Sequence, residues 1–199
     1  MSVAATVVSF EPSAFVPLAL GFFGLGTGYL IYGPQELAGY PHRDRSVDIQ
    51  TGIWGIWMPG FLQFVTGVLL FVGLTWFGSF TAKPLYMAAV AFTAYGVHWW
   101  ALGMGRAFAG DPRPNAFMSI PFFVLSVLGA VVFFGAGDNP VGALFCGLAV
   151  VYFCDFFASL GYAAWERLLG LVHIATGLWL MYLTTAAVLN FSRGFNLPL

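Results

Sequence analysis

The sequence predicts an all-α membrane protein of six transmembrane helices, and three observations carry that prediction. Six apolar stretches fill most of the 199 residues, nearly every charge falls between them, and the chain is 60% hydrophobic but only 8% charged. A water-soluble domain of this composition would lack the polar surface to cover its core. The stretches are continuous and not alternating, which favours helices over the strands of a transmembrane barrel, and a helix satisfies its own backbone in lipid. One six-helix domain is expected over residues 14–191, with short tails at 1–13 and 192–199.

The first helix is expected over Ala14–Tyr32, where Gly21, Gly24 and Gly28 let a neighbouring backbone approach closely. The segment Gly33–Gly52 contains Pro34, Glu36, Pro41, His42, Arg43, Asp44, Arg45 and Asp48, and reads as the longest loop, at headgroup level. The second helix, Ile53–Phe80, carries Gln63 and ends before Lys83 and Pro84. The third, Leu85–Gly105, carries His98 beside Trp99 and Trp100, and the turn from Arg106 to Asn115 leads to a fourth at Ala116–Gly137. Asp138 and Pro140 introduce the fifth, Asn139–Ala164, which holds Asp155, the one acid within any of the six stretches. Glu166 and Arg167 mark a tight turn into the sixth, Leu168–Phe191, with Gly170, His173 and Gly177. Each stretch is long enough to cross about 30 Å of hydrocarbon.

Net charge is −1 and no basic cluster flanks a helix, so neither nucleic acid nor an anionic lipid surface is implied as a partner. Cys146 and Cys154 lie eight apart on one helix, roughly 12 Å along its axis, too far to pair with each other, and read as small buried apolar residues. The first ten residues carry no Lys or Arg, so no cleaved secretory signal is expected. No metal-ligand spacing, nucleophile motif or phosphate loop suggests an enzyme, a metal or a cofactor. Arg43, Arg45, Arg106, Arg113 and Arg167 lie on one face and Lys83 and Arg193 on the other, a bias that would put both termini outside.

Ionisable residues at membrane depth are costly and usually functional. Counting along the helices from the face with more arginines places His98, Asp155 and His173 roughly 9 Å from their boundary residues, in one polar layer. That layer reads as a proton relay or as a structural network. Asp155 should find a partner, and His173 on the next antiparallel helix is the first candidate. His98, between aromatic neighbours, reads as anchored near the interface. Deeper come Phe23, Gln63, Phe92, Tyr95 and Leu148, near mid-membrane. Gln63 needs a partner at that depth and either bridges helices or lines a wet path.

At Pro17-Leu18-Ala19-Leu20-Gly21-Phe22-Phe23-Gly24, at Gly60-Phe61-Leu62-Gln63-Phe64-Val65-Thr66-Gly67 and above all at Ala91-Phe92-Thr93-Ala94-Tyr95-Gly96, the chain resembles the acetate uptake transporter family of succinate/acetate permease-like proteins. The resemblance continues through Pro114-Asn115-Ala116, Phe133-Phe134-Gly135, Gly170, Gly177, Tyr182 and Val188-Leu189-Asn190, nearly the whole chain. It implies a six-helix protomer with its own pore, a homohexamer in the cytoplasmic membrane with its termini inside, and acetate or related short carboxylates, succinate among them, as substrate, with protons as a candidate co-substrate. It places the pore constriction on Phe23, Tyr95 and Leu148. Gln63, Thr93 and Thr27 are then the candidate polar contacts for substrate, with Gly24 and Gly28 leaving room beside them. The family's opening Asn-Pro-Ala-Pro reads Ala14-Phe15-Val16-Pro17 here, and His98, Asp155 and His173 stand outside the family pattern. Two other classes compete: a channel for small neutral solutes such as urea or amides, and, ranked last, a haem-binding redox subunit ligated by His98 and His173.

Overall fold

The computed structural model describes residues 16–199, so the N-terminal tail, the start of the first helix and Ala14 and Phe15 of the mouth motif lie outside the described residues. Six helices follow in chain order: α1 (Leu18–Ala38), α2 (Arg45–Thr75), α3 (Pro84–Ala107), α4 (Arg113–Gly135), α5 (Asn139–Ser159) and α6 (Ala163–Arg193). Four of them, α2, α4, α5 and α6, are long and apolar enough to cross a membrane. The other two run 21 and 24 residues and are interrupted by polar side chains: α1 carries Thr27, Tyr29, Tyr32, Gln35 and Glu36, and α3 carries Thr93, Tyr95, His98 and Arg106.

Each helix packs mainly against its neighbours in the chain, and α6 returns to pack extensively on α1. The bundle is therefore a ring closed in chain order around an axis, and both cavities described below lie along that axis. The seams are glycine contacts. A Cβ on Gly170 of α6 would lie 2.7 Å from the Gly33 carbonyl of α1, and one on Gly52 of α2 would lie 2.4 Å from the Gly103 carbonyl of α3, distances that only bare backbone tolerates. Gly24 and Gly28 also serve packing, since they face Met58 and Pro59 of α2. They do not leave room beside the pore, as the sequence suggested.

The first connection departs most from expectation. Helix α1 does not end at Tyr32 but continues through Pro34 to Ala38, where Gly39 in the left-handed conformation closes it with bonds from its own N–H to Gln35 O and from Tyr40 N–H to Pro34 O. The loop is only residues 39–44. The helix continues because its polar residues find partners on other helices: the Gln35 amide donates to Thr51 Oγ1 at 2.7 Å, and Glu36 meets His173. Asp44 then caps α2, accepting from Ser46 N–H and Val47 N–H at 2.8 and 2.9 Å. These bonds, the one from Val47 foremost, hold its carboxyl below the usual carboxylate range. Smaller shifts occur elsewhere: α5 stops at Ser159, short of Ala164, and α6 begins earlier, at Ala163.

Within α2, residues Ile56–Phe61 widen into a π-turn around Pro59. Proline offers no N–H to the ladder, and the wider turn absorbs the lost bond. Pro59 is buried against Gly28 of α1, and Gly60 lies under the Trp100 ring of α3.

Candidate functional site: an axial vestibule and neck

The inward face of α1 reads Phe22, Leu25, Tyr29, Tyr32 and Glu36, a stripe at helical spacing whose members line the axis. Helix α3 contributes Phe92, Tyr95, His98 and Trp99, and α5 contributes Leu148, Tyr152, Asp155 and Ser159 in the same direction. Read along the axis, all three stripes pass from apolar to polar. The cavity divides accordingly.

At one end lies a vestibule of about 600 Å³. Four of its acids have defined partners. Asp48 takes Arg43 at 3.0 Å and Arg106 at 2.9 Å, tying α2 to α3, while the Arg106 guanidinium lies 5.1 Å above the Tyr32 ring. Glu36 Oε2 and His173 Nδ1 are 2.6 Å apart with side chains 10% and 7% exposed, and the His173 ring stacks on Tyr29 at 4.4 Å. Asp155 accepts from Ser119 Oγ of α4 at 2.6 Å and from Ser159 Oγ on its own helix at 3.0 Å. At the rim, Arg113 holds Asp111 down to a pKa of about 2 through direct side-chain hydrogen bonds.

Asp155 and His173 therefore do not pair. They sit on adjacent helices and line the same vestibule with His98, but their helical registers turn Asp155 toward α4 and His173 toward α1. Glu36, assigned to a loop in the sequence reading, is the acid that reaches His173. Nor is His98 an interface anchor. It lies inside the bundle, its ring 5.1 Å from Phe122 and its Nδ1 3.2 Å from Tyr152 Oη.

Beyond the vestibule the axis narrows to a neck of about 20 Å³, room for roughly one water molecule. Phe22, Gln63, Phe92, Tyr95 and Leu148 line it, together with Phe133 and Phe145 stacked at 5.3 Å. Tyr95 is fixed on two sides: its hydroxyl lies 2.9 Å from Ser126 Oγ, and its ring stacks on Tyr152 at 5.6 Å. Gln63 is fully buried, and neither its amide oxygen nor its amide nitrogen has a hydrogen-bond partner among the described residues. A buried amide left so is rare and costly.

Tyr95, Leu148 and Gln63 thus converge on the neck, whereas Phe23 does not. Phe23 is 43% exposed on the outer face of the protomer, and Phe22, at 2%, takes the inward position with its ring 5.7 Å from Phe92. One residue along a helix is a turn of about 100°, so a one-residue offset exchanges inside for outside. Thr27 lies near Phe23 and donates to the Phe23 carbonyl. Thr93 donates to the Ala89 carbonyl and packs against Gly67 of α2. Neither threonine lines the neck. Sequence reasoning missed Phe22, Glu36, Tyr152 and the serines at 119 and 126. The spacing of three and four puts Phe22, Leu25, Tyr29, Tyr32 and Glu36 on one face of α1, but nothing in that spacing says which face turns inward.

Among the described residues there is no cluster of three or more side chains able to hold a metal ion. The fold itself is known. The chain superposes on the structure of the bacterial acetate channel SatP with a TM-score of 0.69, over 92% of this chain and 96% of that one, at 22% sequence identity. No protein-family model and no curated protein matches the sequence. With its apolar helices and a membrane channel sharing its fold, the protein is a multi-pass membrane protein.

Proposed function

We propose that the chain is the protomer of a channel for acetate and related short-chain monocarboxylates, a member of the acetate uptake transporter family with six membrane spans and its own axial path. The observation that carries this reading is Gln63, a buried amide with open hydrogen-bonding capacity set in an otherwise apolar neck. An apolar constriction rejects hydrated ions by dewetting, while a small acid can present its methyl group to Phe22, Tyr95 and Leu148 and its carboxyl end to the amide. The shared fold with an acetate channel supports the same reading. Because the neck has room for about one water, passage requires the aromatic rings around it to move aside. The assembly is a homohexamer in the cytoplasmic membrane. Asp155, Glu36 and His173 serve as vestibule structure, each partnered within the bundle.

A neutral-solute channel is the second reading, and Gln63 also favours it, since an amide side chain can donate to and accept from urea or acetamide as readily as from a carboxyl group. Flux into liposomes carrying the purified protein separates the two. Acetate uptake above passive leak, competed by propionate, is expected; urea flux with inert acetate would replace the first reading by the second.

A further inference from the structure

His98 occupies the boundary between the two cavities. It follows Tyr95 by three residues on α3, so it is the next side chain on nearly the same face, and it lines the vestibule where Tyr95 lines the neck. Its imidazole is enclosed by the rings of Phe122, Tyr152 and Trp99 at 5.1, 5.6 and 6.2 Å. Nδ1 lies 3.2 Å from Tyr152 Oη, and Nε2 is buried without a hydrogen-bond partner among the described residues.

The Tyr152 contact fits one tautomer best. Tyr152 is buried, and Nδ1 is the one hydrogen-bond partner of its hydroxyl among the described residues, so donation to Nδ1 satisfies the phenol proton. A neutral imidazole that accepts at Nδ1 carries its proton on Nε2. The unpartnered atom is therefore an N–H donor, held in place by a phenol that itself stacks on the neck residue Tyr95. Buried donors of this kind are rarely left unused.

Resting on the reading of the neck as a carboxylate path, we infer that His98 Nε2–H is a substrate-binding donor that receives the carboxyl group of a short-chain acid at the vestibule end of the neck, with Tyr152 as the positioning residue that fixes its tautomer. His98 and Gln63 then form two successive hydrogen-bonding stations, one on the vestibule side of Tyr95 and one within the neck. The acid exchanges one for the other as it passes the aromatic ring, so its carboxyl group loses water while gaining a fixed partner.

The test is a ¹⁵N-histidine NMR titration of the full-length protein in lipid with sodium acetate, paired with acetate uptake kinetics in liposomes. His98 is assigned by the resonance missing from His98→Gln, which leaves His42 and His173 in place. Acetate should shift the Nε2 signal of His98 saturably, with chloride at equal ionic strength leaving it unmoved. In uptake, His98→Leu should raise the half-saturation concentration about tenfold, the loss of one charge-assisted hydrogen bond. His98→Gln, which keeps an amide donor, should stay within about threefold, and Tyr152→Phe, which releases the tautomer, should fall between them. No acetate-dependent shift at His98, or a His98→Leu variant with unchanged half-saturation, overturns the inference. If the leucine variant fails to fold, the titration of the unaltered protein decides alone. Absence of acetate flux in the unaltered protein overturns the channel reading instead, and the titration still reports whether His98 binds the carboxylate.

Discussion

The vestibule and the neck lie on one axis and share the same three helices, yet they treat polar groups in opposite ways. In the vestibule, Asp48, Glu36 and Asp155 each have a defined protein partner, and the space of about 600 Å³ beside them is wide. In the neck, the space of about 20 Å³ is almost wholly apolar, and the one amide that enters it is left open. Satisfied charges hold a wide mouth in shape. On the proposed channel reading, an unsatisfied amide in a tight apolar ring makes a selective point, because whatever passes must supply the missing hydrogen bonds and little else fits. On that same reading, the difference assigns selection to the neck and mechanical stability to the vestibule, and substitutions in the two regions should therefore fail in different ways.

The largest effect is expected from Tyr95→Ala. It removes a buried ring from the neck and its contact with Ser126, which should cost about 3–5 kcal/mol of stability and relax discrimination between acetate and longer acids. Chemical denaturation and competition by propionate and butyrate measure the two, and unchanged discrimination would remove Tyr95 from the path. Next is Glu36→Ala, in the vestibule. Leaving His173 buried without its partner should cost about 3 kcal/mol and loosen the α1–α6 seam, while acid selectivity in the surviving folded protein stays as it was. A change in selectivity there would erase the division between the two regions.

Gln63→Leu should act the other way round. Acetate flux should fall about tenfold for the lost charge-assisted bond, whereas the thermal midpoint should hold or rise, since an apolar side chain of similar volume replaces two unsatisfied atoms. Loss of both flux and stability would show that the amide bridges helices after all. The smallest effect concerns Asp44, well outside the neck. Its carboxyl is held below the ordinary value by the α2 N-terminus, so its contribution is complete above the unfolded pKa and is lost as pH falls through the folded one. Asp44→Asn, which still caps, should flatten that part of an acid-unfolding curve and leave flux untouched.

Helix number and order were legible because hydropathy is a local property, and the apolar runs of this chain are long and cleanly separated. Convergence of Tyr95, Gln63 and Leu148 was also legible, through depth counting together with the family resemblance. What could not be read was rotation. Nothing local decides whether Phe22 or Phe23 faces the axis; the choice is made by Gly24 and Gly28 packing on α2, which turns the next face inward. The end of α1 was hidden for a related reason. Gly33-Pro34 followed by Gln35 and Glu36 has the look of a stop, and only Thr51 and His173, distant in sequence, make those polar residues tolerable on a helix. Asp155 was correctly expected to find a partner, but Ser119 and Ser159 are inconspicuous in a sequence and the histidine was not.

The most direct test of the axial neck is thiol blocking at adjacent positions of α1. In a background with Cys146 and Cys154 replaced by alanine, Phe22→Cys and Phe23→Cys variants are treated with a small thiol-reactive methanethiosulfonate reagent, and acetate flux is measured before and after. Modification at position 22 should abolish flux, and modification at position 23, on the outer face, should leave it intact. Block at 23 with free passage at 22 would contradict the account.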